Sequence, residues 1–76
     1  MSLLQQQRAE SGVAVWSYTR QEFVPFFPCP GEKRVRLDVF DGLENYGVYA
    51  VEYQADGSFI TADPAVELKD WELSLS

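Results

Sequence analysis

Cys29 is the one thiol of the chain, and it stands between Pro28 and Pro30 in the run FVPFFPCPG, residues 23–31. A nucleophilic or redox cysteine needs its thiol acidified by a neighbouring base, a cation or a helix N-terminus. Lys33 and Arg34 follow closely, but the chain has no histidine at all. That removes the Cys-His and Ser-His nucleophile systems together with the commonest metal ligand. A single cysteine builds neither a structural zinc site nor an internal disulfide, and no glycine-rich phosphate loop is present. Cys29 therefore reads as a small packed residue.

Carboxylates are the remaining chemical resource. Asp38, Asp41 and Glu44 cluster in sequence, the arrangement from which a calcium or magnesium site could be built. Their spacing lacks the alternating acids, central glycine and distal glutamate of a calcium loop, so turn chemistry and solvation explain them better. Lys33, Arg34 and Arg36 form the only basic cluster; they could meet an acidic partner, or pair across strands with Glu52. No catalytic, cofactor-binding or metal-ligating residue is assigned, no cofactor is expected, and the chain reads as a non-enzyme.

The aromatic residues offer recognition. Phe23, Phe26 and Phe27 lie in the proline-rich run, with Trp16 and Tyr18 just before it. These five are the candidate partner-binding residues. One reading has the phenylalanines folding back to cap a thin core; the other leaves rings exposed for a protein partner or for a second copy of the chain. The two are compatible, with some rings inside and others out.

Size and charge bound what can position them. With 76 residues, 46% hydrophobic, the chain suffices for one small domain. Residues 1–40 hold five bases and four acids; residues 41–76 hold one base and eight acids. Such an acidic protein repels a phosphate backbone, so direct nucleic-acid binding is not expected. No apolar run reaches the roughly 20 residues of a membrane span, and the first residues lack a secretory pattern. A free cysteine without an export signal points to the cytoplasm.

The elements follow from periodicity. Residues 1–11 read as a flexible or weakly helical segment, and residues 12–76 as a single β domain. GVAVWSYT (12–19) is a strand with apolar residues on both faces. Three prolines make residues 20–32 a long irregular connection. KRVRLDVF (33–40) alternates apolar and charged residues; DGLEN (41–45) is a turn; YGVYAVEYQ (46–54) and FITA (59–62) flank Asp56-Gly57 as a two-residue hairpin. These last three strands form a meander in which Val35 faces Val51, Arg34 faces Glu52 and Tyr53 faces Ile60. Asp63 and Pro64 open a helical turn over 64–70, and a final strand ends the chain.

This is the element order of an SH3-like small barrel: an all-β, five-stranded antiparallel barrel or rolled sheet with a short helical turn before the last strand. The alternative is an α+β arrangement with an N-terminal helix on a three- to four-stranded meander. Fold order alone carries no function. The expected function is a protein-interaction module using the aromatic and proline loop 20–32 and the adjacent strand aromatics, with self-association as a further use of the same surface. An acidic inhibitor that mimics nucleic acid is the second reading, requiring the acids of residues 44–72 to share one face. An enzyme assembled only in an oligomer is the third.

Overall fold

A computed structural model describes residues 10–75. Strands dominate: β1 (Glu10–Ser17), β2 (Glu22–Val24), β3 (Phe27–Pro28), β4 (Arg34–Leu37), β5 (Tyr46–Tyr53), β6 (Phe59–Thr61) and β7 (Glu72–Leu75), with a 3-10 turn at Leu43–Asn45 before β5. They form two sheets, one ordered β2-β1-β5-β6 and the other β3-β4-β7. The four-stranded sheet is antiparallel throughout, whereas β4 and β7 run parallel.

The core lies between the sheets. Val15, Val35 and Leu37 are fully buried, joined by Val24, Tyr46 and Val48. Alternation explains the choice: Val13, Val15 and Ser17 lie on one face of β1, and their partners Ala50, Val48 and Tyr46 lie on the same face of β5. Val35 and Leu37 of β4 meet that face, opposite Leu73 and Leu75 of β7 in their own sheet. Phe26, Val39, Leu43, Leu68 and Trp71 close the margins.

The chain departs from the expected meander at its centre. β4 does not lie beside β5, because β5 has no free edge to offer. One edge is paired with β1 over eight residues, Glu10↔Tyr53 to Ser17↔Tyr46. The other is taken by β6 and then by residues 66–68, where Ala50 N donates to Val66 O (2.9 Å) and Leu68 N to Val48 O (2.8 Å). β4 pairs instead with β3 and β7. Arg34 accordingly meets Glu72 (3.3 Å) and not Glu52, while Lys33 meets Asp70 (2.7 Å). The fold is all-β, as expected, but the predicted three-strand meander is broken between β4 and β5, and the strands form two sheets.

Four local expectations also change. The turn after β5 is a three-residue loop, with Gly57 N bonded to Gln54 O and Gln54 N to Ser58 O. Gly57, at φ +91°, supplies the left-handed residue that such a loop requires. The register shifts by one, so Tyr53 faces Phe59 and Ile60 faces Glu52. Residues 64–70 are not helical, since the backbone groups at 66 and 68 bond to β5. The connection 20–32 is not structureless: Tyr18–Gln21 form a tight turn into β2, and β3 follows. Buried Ser17 holds that turn, its Oγ accepting from Arg20 N (3.2 Å) while its carbonyl accepts from Gln21 N (2.8 Å). β1 begins at Glu10, two residues earlier than expected. Residues 1–9, and with them the rest of the expected weakly helical segment and the N-terminal helix of the alternative fold, lie outside the described residues.

Two substitutions test this architecture. Leu37→Ala empties a fully buried site between the sheets and should cost about 3 kcal/mol of stability. Gly57→Ala forces a side chain into positive φ and should cost about 1 kcal/mol. Denaturant midpoints at unchanged slope measure both.

Candidate functional site

Two surfaces hold the aromatic residues. The first is the face of the four-stranded sheet turned away from the core. There Trp16 and Phe23 are directly opposed across β1 and β2, ring centroids 4.8 Å apart and edge to face. Phe23 also meets Phe59 at 5.0 Å, and Phe59 meets Tyr53 at 5.4 Å. β2 and β6 are the two outer strands of this sheet. In a flat sheet, strands three places apart are roughly 14 Å apart. Contact between Phe23 and Phe59 therefore requires the sheet to curl, and it forms a half-barrel.

Small residues make room for the rings. A Cβ on Gly12 would fall 2.5 Å from the Tyr53 ring, so only glycine lets that ring lie across β1. Tyr53 Oη then donates to Val13 O (2.6 Å). Tyr18 Oη occupies the space over Gly47, donating to Glu67 Oε2 (3.1 Å) and lying 3.4 Å from Tyr49 Oη. This chain of hydroxyls ties residues 66–68 to β5 from the side-chain side. It also holds the Tyr18 proton: the Tyr49 hydroxyl, burial and the Glu67 carboxylate raise its pKa well above the ordinary 10.0. The cleft beside these rings, lined by Trp16, Phe23, Tyr49, Thr61 and Ala65, holds about 240 Å³. Small-molecule sites start near ~300 Å³, so this cleft suits one side chain at most.

The second surface is a groove of about 550 Å³ at the corner where the chain changes sheets. Val24, the last residue of β2, is buried; Pro25 is exposed; Phe26 turns in to the core; Phe27, the first residue of β3, is 51% exposed. Opposite this segment, the chain leaving β4 supplies Asp38, Val39, Phe40 and Asp41. Phe40 is 106% exposed, with its whole side chain in solvent. Tyr46 and Arg20 complete the walls, Tyr46 Oη donating to Asp41 Oδ1 at 2.5 Å. That hydrogen bond, more than the small desolvation, raises the Tyr46 pKa.

The five residues singled out in the sequence thus divide between two surfaces. Trp16 and Phe23 are brought together, Tyr18 sits at the rim of the same face, Phe26 packs on the core, and Phe27 faces the other surface. Tyr49, Tyr53 and Phe59 were not among them; the period-two pattern of β5 could have placed the tyrosines on one face, but not opposite Trp16. Phe40 and Asp38 both belong to the predicted strand 33–40, Asp38 also to the acid cluster beside the turn, and nothing local in the sequence announces that Phe40 stays outside. Among the described residues, no group of three or more histidine, cysteine or acidic side chains is placed to hold a metal ion, and Asp41 bonds to Tyr46. Cys29 is half-buried in the turn before β4, its amide bonded to Arg34 O.

No family model, curated protein or solved structure matches this chain. No helix among the described residues is long and apolar enough to cross a membrane.

The acids do not share one face. Glu52 and Glu67 lie on opposite faces of the four-stranded sheet, since Glu67 stands opposite Tyr49 and Glu52 alternates with it. Asp70 and Glu72 are ion-paired, and Asp56 accepts two hydrogen bonds from Ser58.

Two outcomes check the first surface. A double-mutant cycle of Phe23→Ala and Phe59→Ala should return a coupling of about 1 kcal/mol, because the rings touch across the curled sheet. In an alkaline phenolate titration, Tyr18 should ionise above the ordinary tyrosine range and move down toward it in Glu67→Gln. Its folded-state pKa is raised, so its contribution to stability is intact below pH ~10 and is lost as pH rises through the folded value.

Proposed function

We propose that this protein is a non-enzymatic interaction module that binds a protein partner through the groove between residues 20–27 and 38–46. The observation that carries the reading is the full exposure of Phe40 beside half-exposed Phe27, over a floor that contains Val24 and Val39. Burying a phenylalanine ring is worth about 1.5–3 kcal/mol, and a small protein that leaves two such rings beside one groove has an anchor pair to offer. The groove, at about 550 Å³, falls within the size range of recognition sites. The sheet-face aromatics, Trp16 and Phe23 among them, pack on one another where the sheet curls. Phe27 remains the expected binding residue, and Phe40 joins it.

Scattered and ion-paired acids weigh against the nucleic-acid mimic, which needs one continuous acidic face. Self-association would use the same rings and would appear as a concentration-dependent change in mass.

The test is a random peptide-display selection against the full chain, with the selected peptides re-tested on Phe40→Ala and on Phe27→Ala/Phe40→Ala. Phe40→Ala should leave stability within about 0.5 kcal/mol, because the ring touches little in the folded protein. Selected peptides should lose at least about tenfold in affinity for Phe40→Ala, and more for the double variant, corresponding to about 1.4 kcal/mol or more. Peptides that bind both variants undiminished would end the reading.

A further inference from the structure

We propose that the groove takes an arginine side chain, presented by an extended segment of the partner and stacked against the exposed rings while it pairs with the carboxylates of Asp38 and Asp41. The proposal rests on the groove being the binding site, and it names the chemistry of the occupant.

Charge and shape select that occupant. The groove is lined by two acids, Asp38 and Asp41, and one base, Arg20. Arg20 lies 3.7 Å from Glu22 in a solvent-exposed pair, which leaves its cation as part of the groove wall. The wall thus carries an excess of negative charge, two carboxylates against one guanidinium, next to Phe27, Phe40 and Tyr46, on a chain of net charge −6. An acidic ligand is repelled here, and a purely apolar one would cover two carboxylates without pairing them, at a desolvation cost. A guanidinium meets both demands: its plane stacks on an aromatic face, and its forked donors match a carboxylate. Asp41 is already oriented, since Tyr46 Oη donates to one of its oxygens and leaves the other free to accept. Lysine supplies the charge without the plane, so it should bind more weakly.

Side chains, and not strand addition, make the contact. β3 has only two residues, and the second, Pro28, has no N–H to donate to an added strand. The partner segment therefore lies across the rings, held by its own side chains.

The experiment uses the same peptide display on the full chain, read for composition. Arginine should be enriched at one fixed position. In the best binder, replacing that arginine with citrulline, which keeps the shape and removes the charge, should cost at least about tenfold in affinity, and replacing it with lysine should cost less. Asp38→Asn/Asp41→Asn, whose fold is checked by its unfolding midpoint, should show the same loss and should no longer distinguish arginine from citrulline. Binders that depend on Phe40 but carry no cation, or that bind Asp38→Asn/Asp41→Asn unchanged, overturn the arginine proposal and leave the groove standing as a binding site. Binders indifferent to Phe40 overturn both. A dimer that is lost in Phe40→Ala would put a second copy in the groove and also overturn the proposal.

Discussion

The change of sheet at Pro25-Phe26 is the constraint on which the rest of the molecule depends. Pro25 has no backbone donor to offer to β1, and β2 ends at Val24. The chain turns away, sends Phe26 into the core and resumes at Phe27 as the edge of the second sheet. Everything that follows in β3 and β4 then belongs to that sheet, and the two layers close over Val15, Val24, Val35 and Leu37. The same corner leaves the rings of Phe27 and Phe40 outside, because a chain that alternates in and out over consecutive residues cannot bury all of them.

β5 supplies the second organising limit. A strand has two edges, and both are filled, by β1 on one side and by β6 with residues 66–68 on the other. That exclusion sends β4 to the C-terminal strand, where Lys33 and Arg34 find Asp70 and Glu72. These ion pairs are exposed and screened by solvent, so they contribute little energy. Their role is in the choice of neighbour: opposite charges at the starts of β4 and β7 favour the parallel pairing that Val35 and Leu37 drive by burial, with half-buried Leu73 packed against them.

The positions of the main strands were legible because alternation survives in a chain of this length: Val13 and Val15, Val35 and Leu37, and Leu73 and Leu75 each mark a face. Their partners were not legible. Apolar alternation looks the same whichever strand lies alongside, so Val35 facing Val51 was as consistent as Val35 facing Leu73. The hairpin at Asp56-Gly57 was visible, but its loop length was not, and one added residue moved Phe59 to the face where it meets Phe23 and Tyr53. The turn at 18–21 was missed because it contains neither glycine nor proline and depends on the hydroxyl of Ser17. Asp63 and Pro64 resembled a helix start, yet the pull of an unpaired β5 edge outweighed that local signal. Of the candidate site, Phe27 could be named from the sequence. Phe40 could not, since its exposure is set by how the chain leaves β4.

The account therefore stands on an in-and-out alternation at one corner, with Phe26 holding the sheets together and Phe27 and Phe40 left for a partner. The most direct measurement is the relaxation of assigned phenylalanine ring protons by a soluble paramagnetic agent, applied to the free protein. Phe40 should relax fastest, Phe27 next, and Phe26, half-buried against the core, slowest of the three. A protected Phe40, or a Phe26 that relaxes as fast as Phe27, would contradict the fold at the corner and the groove built on it.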